Sequence, residues 1–150
     1  MYILYDIFLY CAVFLGEVRD FYYRVPYWDS ILHFCSGMML GTLGFILVDF
    51  LNRSETDKVS LSPAFVCLFS FCFALAVGTI WEIYEYTLDS ILGLNMQKYM
   101  LADKTVKIGR EALQDTMKDI IIDTIASLAA TILGYLSLKK TKNDDSDSIQ

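Results

Sequence analysis

Gly78-Thr79-Ile80-Trp81-Glu82-Ile83-Tyr84-Glu85-Tyr86 ends a long apolar run that starts near Pro63, and its reading decides the fold. Two carboxylates three residues apart close a segment otherwise made for lipid. An ionisable group inside a bilayer costs about 2.5 to 3.5 kcal/mol on insertion scales, so the default expectation is a functional site with partners on other helices.

Composition sets the same frame. The chain has 150 residues, one domain by length, and 55% of them are hydrophobic, with mean hydropathy +0.44. That is the composition of a membrane protein. The net charge of -6 resides in the body, because the tail 139–150 balances three Lys with three Asp. An acidic body excludes a nucleic-acid partner and leaves membrane lipid as the expected one. Cys11, Cys35, Cys67 and Cys72 lie in apolar runs without zinc spacing and read as small buried thiols. Met1 is followed by Tyr-Ile-Leu-Tyr-Asp with no basic region, so no signal peptide is expected.

Outward from the central stretch the pattern gives an all-α, polytopic transmembrane bundle of four hydrophobic helices, over 2–16, 29–51, 63–88 and 112–138. The first is short of the ~20 residues that cross a hydrocarbon core. Residues 17–28 mix both charges with Tyr and Trp, as an interfacial loop does, and Pro26 suits the first turn of the coming helix. The loop 52–61 is short and polar. Ser62 reads as an N-cap before Pro63. The connection 89–114, with Lys98, Lys104, Lys107 and Arg110 among apolar residues, suggests a segment resting on the bilayer surface. Residues 1–138 form the helical domain and 139–150 a disordered polar tail. Lipid-exposed backbone must satisfy itself, and the runs lack the alternation of barrel strands.

Single crossings bring the start of the second helix, the end of the third and the start of the fourth to one leaflet. Asp29, His33, Gly37 and Gly41 then share one stripe, as do Ala74, Gly78, Glu82 and Glu85, and Asp115, Asp119, Asp123, Ala126, Ala130 and Gly134. Gly37, Gly41, Gly78, Ala130 and Gly134 are the helix-packing positions, because small residues let membrane helices approach closely. The acids should therefore point into the bundle. One imidazole cannot neutralise so many carboxylates, and like charges share protons or hold a cation. His33, Glu82, Glu85, Asp119 and Asp123 form the candidate ligand set for a divalent metal ion, with Asp29, Asp89 and Asp115 as a supporting polar cluster. The bland reading has the same acids hydrogen-bonded through Tyr84, Thr116 and Thr124 to hold helices together. Trp28 and Trp81 read as interface anchors, Asp49 as interfacial at the opposite face, and Arg24–Asp20 and Lys118–Asp115 as structural pairs.

Tyr27-Trp-Asp-Ser-Ile-Leu-His33 with Gly37, Gly78-Thr-Ile-Trp-Glu-Ile-Tyr-Glu85 with Asp89, Met96-Gln97-Lys98, and Asp115-Thr-Met-Lys-Asp119 with Asp123 resemble the YjdF-like family of uncharacterised bacterial inner-membrane proteins. The resemblance covers roughly residues 16–134 and implies a polytopic bacterial membrane protein, with no catalytic roles to carry over. Relatives carry more helices before the Trp-Asp-x-x-x-His motif, so a truncated start is one expectation for the first run. The order Asp, His, Glu, Asp across helices is more faintly similar to VanZ-like proteins. The expected location is the bacterial cytoplasmic membrane with both termini cytoplasmic, because Lys139, Lys140 and Lys142 come directly after a span.

Three functions compete on these residues. A membrane-embedded, hydrolase-like enzyme would use the cation to activate water against a lipid-linked or envelope substrate, its anionic headgroup held by the loops 17–28 and 89–114. A small ion or proton transporter would use the acids as a relay, with a homo-oligomer compensating for the small size. A non-catalytic assembly protein would use them only to hold helices together.

Overall fold

The computed structural model describes residues 2–53 and 61–147, and the side chains among them except those at 2, 49, 52, 53 and 141–147. Most of the loop 52–61, the interfacial role of Asp49 and the last three residues of the tail lie outside the described residues. Helix α1 (Tyr2–Leu9) continues as a more widely wound π-helical segment, Tyr10–Val18. A short helix α2 (Phe21–Arg24) comes next, then the long helices α3 (Trp28–Arg53), α4 (Pro63–Leu92) and α5 (Arg110–Asp147). The protein is an all-helical membrane bundle. Trp28–Val48, Pro63–Leu92 and Arg110–Lys140 are long and apolar enough to cross a bilayer.

Each boundary has a local cause. The π-helical segment ends where Arg19 N–H reaches back to the Phe14 carbonyl at 3.0 Å and Asp20 turns left-handed at φ 58°. Pro26 lies in the turn before α3 and not in its first turn; Tyr27, at φ 61°, makes the corner, and its carbonyl accepts from Ile31 N–H at 2.9 Å. Ser62 caps α4 by accepting from Phe65 N–H at 3.2 Å, with Pro63 at the first helical position. Helix α4 runs one turn past the expected Leu88, to Leu92, and stops at Gly93 in the left-handed region (φ 66°), where glycine carries no side-chain penalty. Helix α5 starts directly after left-handed Gly109 and extends past the expected end at 138 to Asp147. Lys139 to Asp147 therefore continue a helix, where composition alone reads as disorder.

Helices α3, α4 and α5 pack mutually, with α3 against α5 the most extensive contact. Lipid gives packed helices no hydrophobic advantage, so close approach and polar contacts hold them. A methyl group added at Gly37 would stand 2.9 Å from Ala126 Cβ, and one at Gly41 would stand 2.9 Å from Ala130 Cβ. The inward stripe of α4 is Ser70, Ala74, Gly78, Glu82 and Asp89; that of α5 includes Asp119, Asp123, Ala126, Ser127, Ala130 and Thr131. Ala126, Ser127 and Asp119 are at most 2% exposed, while Ile121, Ile125, Leu128 and Ile132 on the other faces are about half exposed, as lipid-facing residues must be. The cysteines depart from the expectation of buried thiols: Cys35 and Cys72 are exposed, Cys11 and Cys67 half-buried, and none is disulfide-bonded. Cys67 Sγ donates to the Thr131 carbonyl at 3.4 Å.

Candidate functional site

The site begins with His33, one and a half turns into α3 and 8% exposed. Its Nδ1 lies 3.3 Å from Asp123 Oδ2 on α5. A carboxylate only accepts, so the shared proton sits on Nδ1, and in the neutral ring Nε2 then carries the lone pair. That Nε2 stands 3.9 Å from Asp29 Oδ1 on its own helix and 3.9 Å from Glu82 Oε1 on α4. Asp29, His33 and Asp119 each offer a ligand atom within 4.8 Å of the other two. Three helices thus bring five ionisable side chains to one layer.

Gly78 makes the arrangement sterically feasible. A methyl group there would lie 2.7 Å from Asp123 Oδ2, so the bare backbone of α4 leaves the space through which Asp123 meets His33. Ser36 supports both partners, donating to the His33 carbonyl at 2.8 Å and lying 3.5 Å from Asp123 Oδ1. Sequence reasoning does not single out Ser36. Its position three residues after His33, on the same face, is the signal that could have found it.

Three buried carboxyl oxygens stay without donors. Neither oxygen of Glu82 has a hydrogen-bond partner among the described residues, nor has Asp119 Oδ1, and these residues are 4% and 2% exposed. A buried acceptor left unmatched costs about 1 to 3 kcal/mol, and more when charged.

The remaining candidates lie elsewhere. Glu85 is half-buried and accepts from Trp81 Nε1 at 3.0 Å, on its own helix. Asp89 is buried one turn further out, where its two oxygens accept from Met96 N–H at 2.8 Å and Gln97 N–H at 2.9 Å. It fastens the loop 93–109 to the end of α4. Asp115 and Lys118 line an open cleft with Lys107 and Glu111 without forming an ion pair, whereas Arg24 and Asp20 do pair, at 3.1 Å on the surface. Tyr84, Thr116 and Thr124 do not serve the acids: Tyr84 packs its ring against Trp81, Thr116 Oγ1 accepts from Gln97 Nε2, and Thr124 donates to the Ile120 carbonyl. Gly37, Gly41, Gly78 and Ala130 are buried at helix contacts, and Gly134 is half-buried facing Phe45.

The connection before α5 folds on itself. Met100 and Val106 form an antiparallel bridge, and the Asn95 side chain brackets Met100, accepting from its N–H and donating to its carbonyl, both at 2.8 Å. Asp103 accepts from Thr105 N–H at 2.9 Å, which holds its carboxyl below the usual range. Lys98 Nζ lies 4.3 Å from the centroid of the Tyr22 ring and 5.5 Å from that of Tyr23. The Tyr22 phenol is pushed up from its ordinary value by burial, then by Asp29, Glu17 and Glu85. No spacing in the sequence joins positions 22 and 98, so this contact is not legible there.

No solved structure matches the chain. A Thermotoga maritima protein described as "Uncharacterized protein" is 32% identical over 122 residues, which make up 81% of this chain and 54% of that one. The chain thus spans about half the length of this curated relative. Three helices able to cross a bilayer, converging on a buried polar layer, agree with the family profile that matches residues 1–140, and the chain belongs to that family, described as "Predicted membrane protein (DUF2238)".

Proposed function

We propose that the protein holds one divalent cation at the layer formed by Asp29, His33, Asp119 and Glu82, and uses it to activate water against a lipid-linked or envelope substrate. The observation that carries this reading is the orientation of His33. Its Nδ1 is taken by Asp123 at 3.3 Å, which fixes the ring and turns Nε2, the nitrogen a cation would displace any proton from, toward Asp29 and Glu82. Metal-binding histidines are commonly oriented by such a carboxylate on the other nitrogen. The unmatched oxygens of Glu82 and Asp119 are the acceptors that a cation would satisfy. Oxygen ligands sit about 2.0 to 2.2 Å from Zn²⁺-sized ions, so the group has to draw inward to hold one. This set differs from the one that spacing alone suggests: Asp29 enters, Asp123 becomes the orienting partner, and Glu85 stays with Trp81.

One imidazole among carboxylates suits Mn²⁺ or Zn²⁺. A bound ion would supply a lowered pKa for its water. We assign the chain to the bacterial cytoplasmic membrane, in line with its resemblance to YjdF-like proteins, with the 139–142 lysines on the cytoplasmic side. The polar layer then lies toward the opposite side of the bilayer. A homo-oligomer in the bilayer is compatible with this arrangement.

The test is metal content and calorimetric titration of the detergent-purified full chain with Mn²⁺ and Zn²⁺. One equivalent is expected, with affinity at least tenfold weaker in His33→Ala, Asp119→Asn and Glu82→Gln. Absence of stoichiometric binding by the unaltered protein would remove the cation. Proton flux in liposomes that is lost in Asp119→Asn would then favour a relay.

A further inference from the structure

The loop 93–109 is held unusually firmly for a surface connection. Asp89 grips the N–H groups of Met96 and Gln97, Gln97 Nε2 donates to Thr116 at 2.8 Å on α5, and Asn95 brackets Met100. These ties hold Lys98, whose backbone lies in the left-handed region at φ 50°, as does that of Lys104 at φ 66°. Its half-buried ammonium faces the Tyr22 and Tyr23 rings, and its hydrogen bond is to the Asn95 carbonyl at 3.5 Å. Among the described residues no carboxylate comes within ion-pair distance of it, although the chain carries 18 acids. A cation over aromatic faces keeps its charge at low desolvation cost and can still accept an anion from the open side.

The placement connects this lysine to the polar layer. Tyr22, beneath the ammonium, lies within electrostatic reach of Asp29 and Glu85, and Lys98 itself within reach of Glu85 and Asp115. Lys98 belongs to the loop after α4, outside the spans, at the end of the bundle where the layer lies. The tyrosines against it, Tyr22 and Tyr23, are of the residue type found at headgroup depth.

We infer that Lys98, seated on Tyr22 and Tyr23, is an anion seat for a phosphate-bearing group, at the same end of the bundle as the layer formed by Asp29, His33, Glu82 and Asp119. The inference deepens the cation-site reading and rests on it for any chemistry after binding, but the seat is tested by itself. A membrane phosphodiester headgroup of net negative charge and a soluble phosphate share the chemistry Lys98 recognises, whereas the choline headgroup neutralises its own phosphate with an ammonium and serves as the contrast.

The experiment titrates the detergent-purified full chain with short-chain phosphatidylglycerol, short-chain phosphatidylcholine and inorganic phosphate, following Trp and Tyr fluorescence. The expected result is saturable binding of phosphatidylglycerol or of phosphate at least tenfold tighter than of phosphatidylcholine. Saturation by phosphatidylglycerol alone identifies a lipid source; saturation by inorganic phosphate at similar concentration identifies a soluble one. Lys98→Gln should lose at least tenfold and Lys98→Arg much less, while Lys104→Gln and Lys107→Gln stay within twofold. Equal binding of both lipids, or equal losses in all three Gln variants, overturns the seat. Metal content measured on the same Lys98→Gln sample should be unchanged, so failure of the cation reading and failure of the anion seat show up in different readouts.

Discussion

Asp123 on α5 and His33 on α3 meet, 3.3 Å apart, in the gap that Gly78 leaves in α4. Their contact ties all three long helices, because the gap exists only where a third helix contributes no side chain. Gly78→Ala should therefore do two things at once. The added methyl group, 2.7 Å from Asp123 Oδ2, overpacks the contact at a cost of about 1 to 3 kcal/mol. It also pushes Asp123 off the imidazole. A lower thermal midpoint in detergent together with weakened Mn²⁺ or Zn²⁺ binding is expected; a variant as stable as the parent and equally able to bind would show that the gap is incidental.

Asp123 itself separates orientation from ligation. In Asp123→Asn the amide oxygen can still accept from Nδ1–H, so the ring keeps its direction and the bundle its packing. Only the charge behind the histidine is lost. Metal affinity should fall about 10-fold to 100-fold, as it does where such partners are altered elsewhere, with little change in thermal midpoint. Asp123→Ala should lower both. If the Asn variant abolished binding as fully as His33→Ala, Asp123 would be a direct ligand.

Asp89 joins the cluster by spacing, yet its geometry assigns it a different task. Both oxygens hold backbone N–H groups of the returning chain. An Asn side chain can accept only one of the two bonds, and each hydrogen bond to a charged group contributes about 1.5 to 3 kcal/mol. Asp89→Asn should raise hydrogen exchange at Met96 and Gln97 and in the residues after them, leaving metal binding in place. Unchanged exchange there would show that Gln97 and Asn95 suffice to hold the loop.

What the sequence reveals, and what it hides, depends on how each feature is encoded. Helical spacing puts Ala74, Gly78 and Glu82 on one stripe, and the same stripe is buried, because period and burial are linked by helix geometry alone. The convergence of His33, Glu82, Asp119 and Asp123 comes from counting crossings. Rotamers are not encoded that way. Glu85 shares its stripe with Glu82, yet it bends back to Trp81 four residues earlier, and no spacing rule chooses between those directions. Helix ends are legible at Ser62, where the cap is chemical, and illegible at Leu92 and Asp147, because the charges at Asp89 and Lys139 read as stop signals. The loop 93–109 is the least legible part, since Lys98 meets Tyr22 through contacts between residues far apart in the chain.

Tyr22 offers a pH-dependent check on that loop contact. Burial is the main cause that raises its phenol above the ordinary value of 10.0, with the negative fields of Asp29, Glu17 and Glu85 adding to it. An acid whose pKa is raised in the folded state binds its proton more tightly there than in the unfolded chain. The stability it contributes is thus fully present below about pH 10 and declines as the pH rises beyond it, where the unfolded chain would ionise first. Absorbance at 295 nm should reveal this directly. Up to about pH 11 the titration of the parent protein and that of Tyr22→Phe should superimpose, since a phenol still protonated adds no tyrosinate signal. One extra equivalent of tyrosinate in the parent with a midpoint near 10 would mean that Tyr22 is solvated and that the ring does not sit buried beneath Lys98.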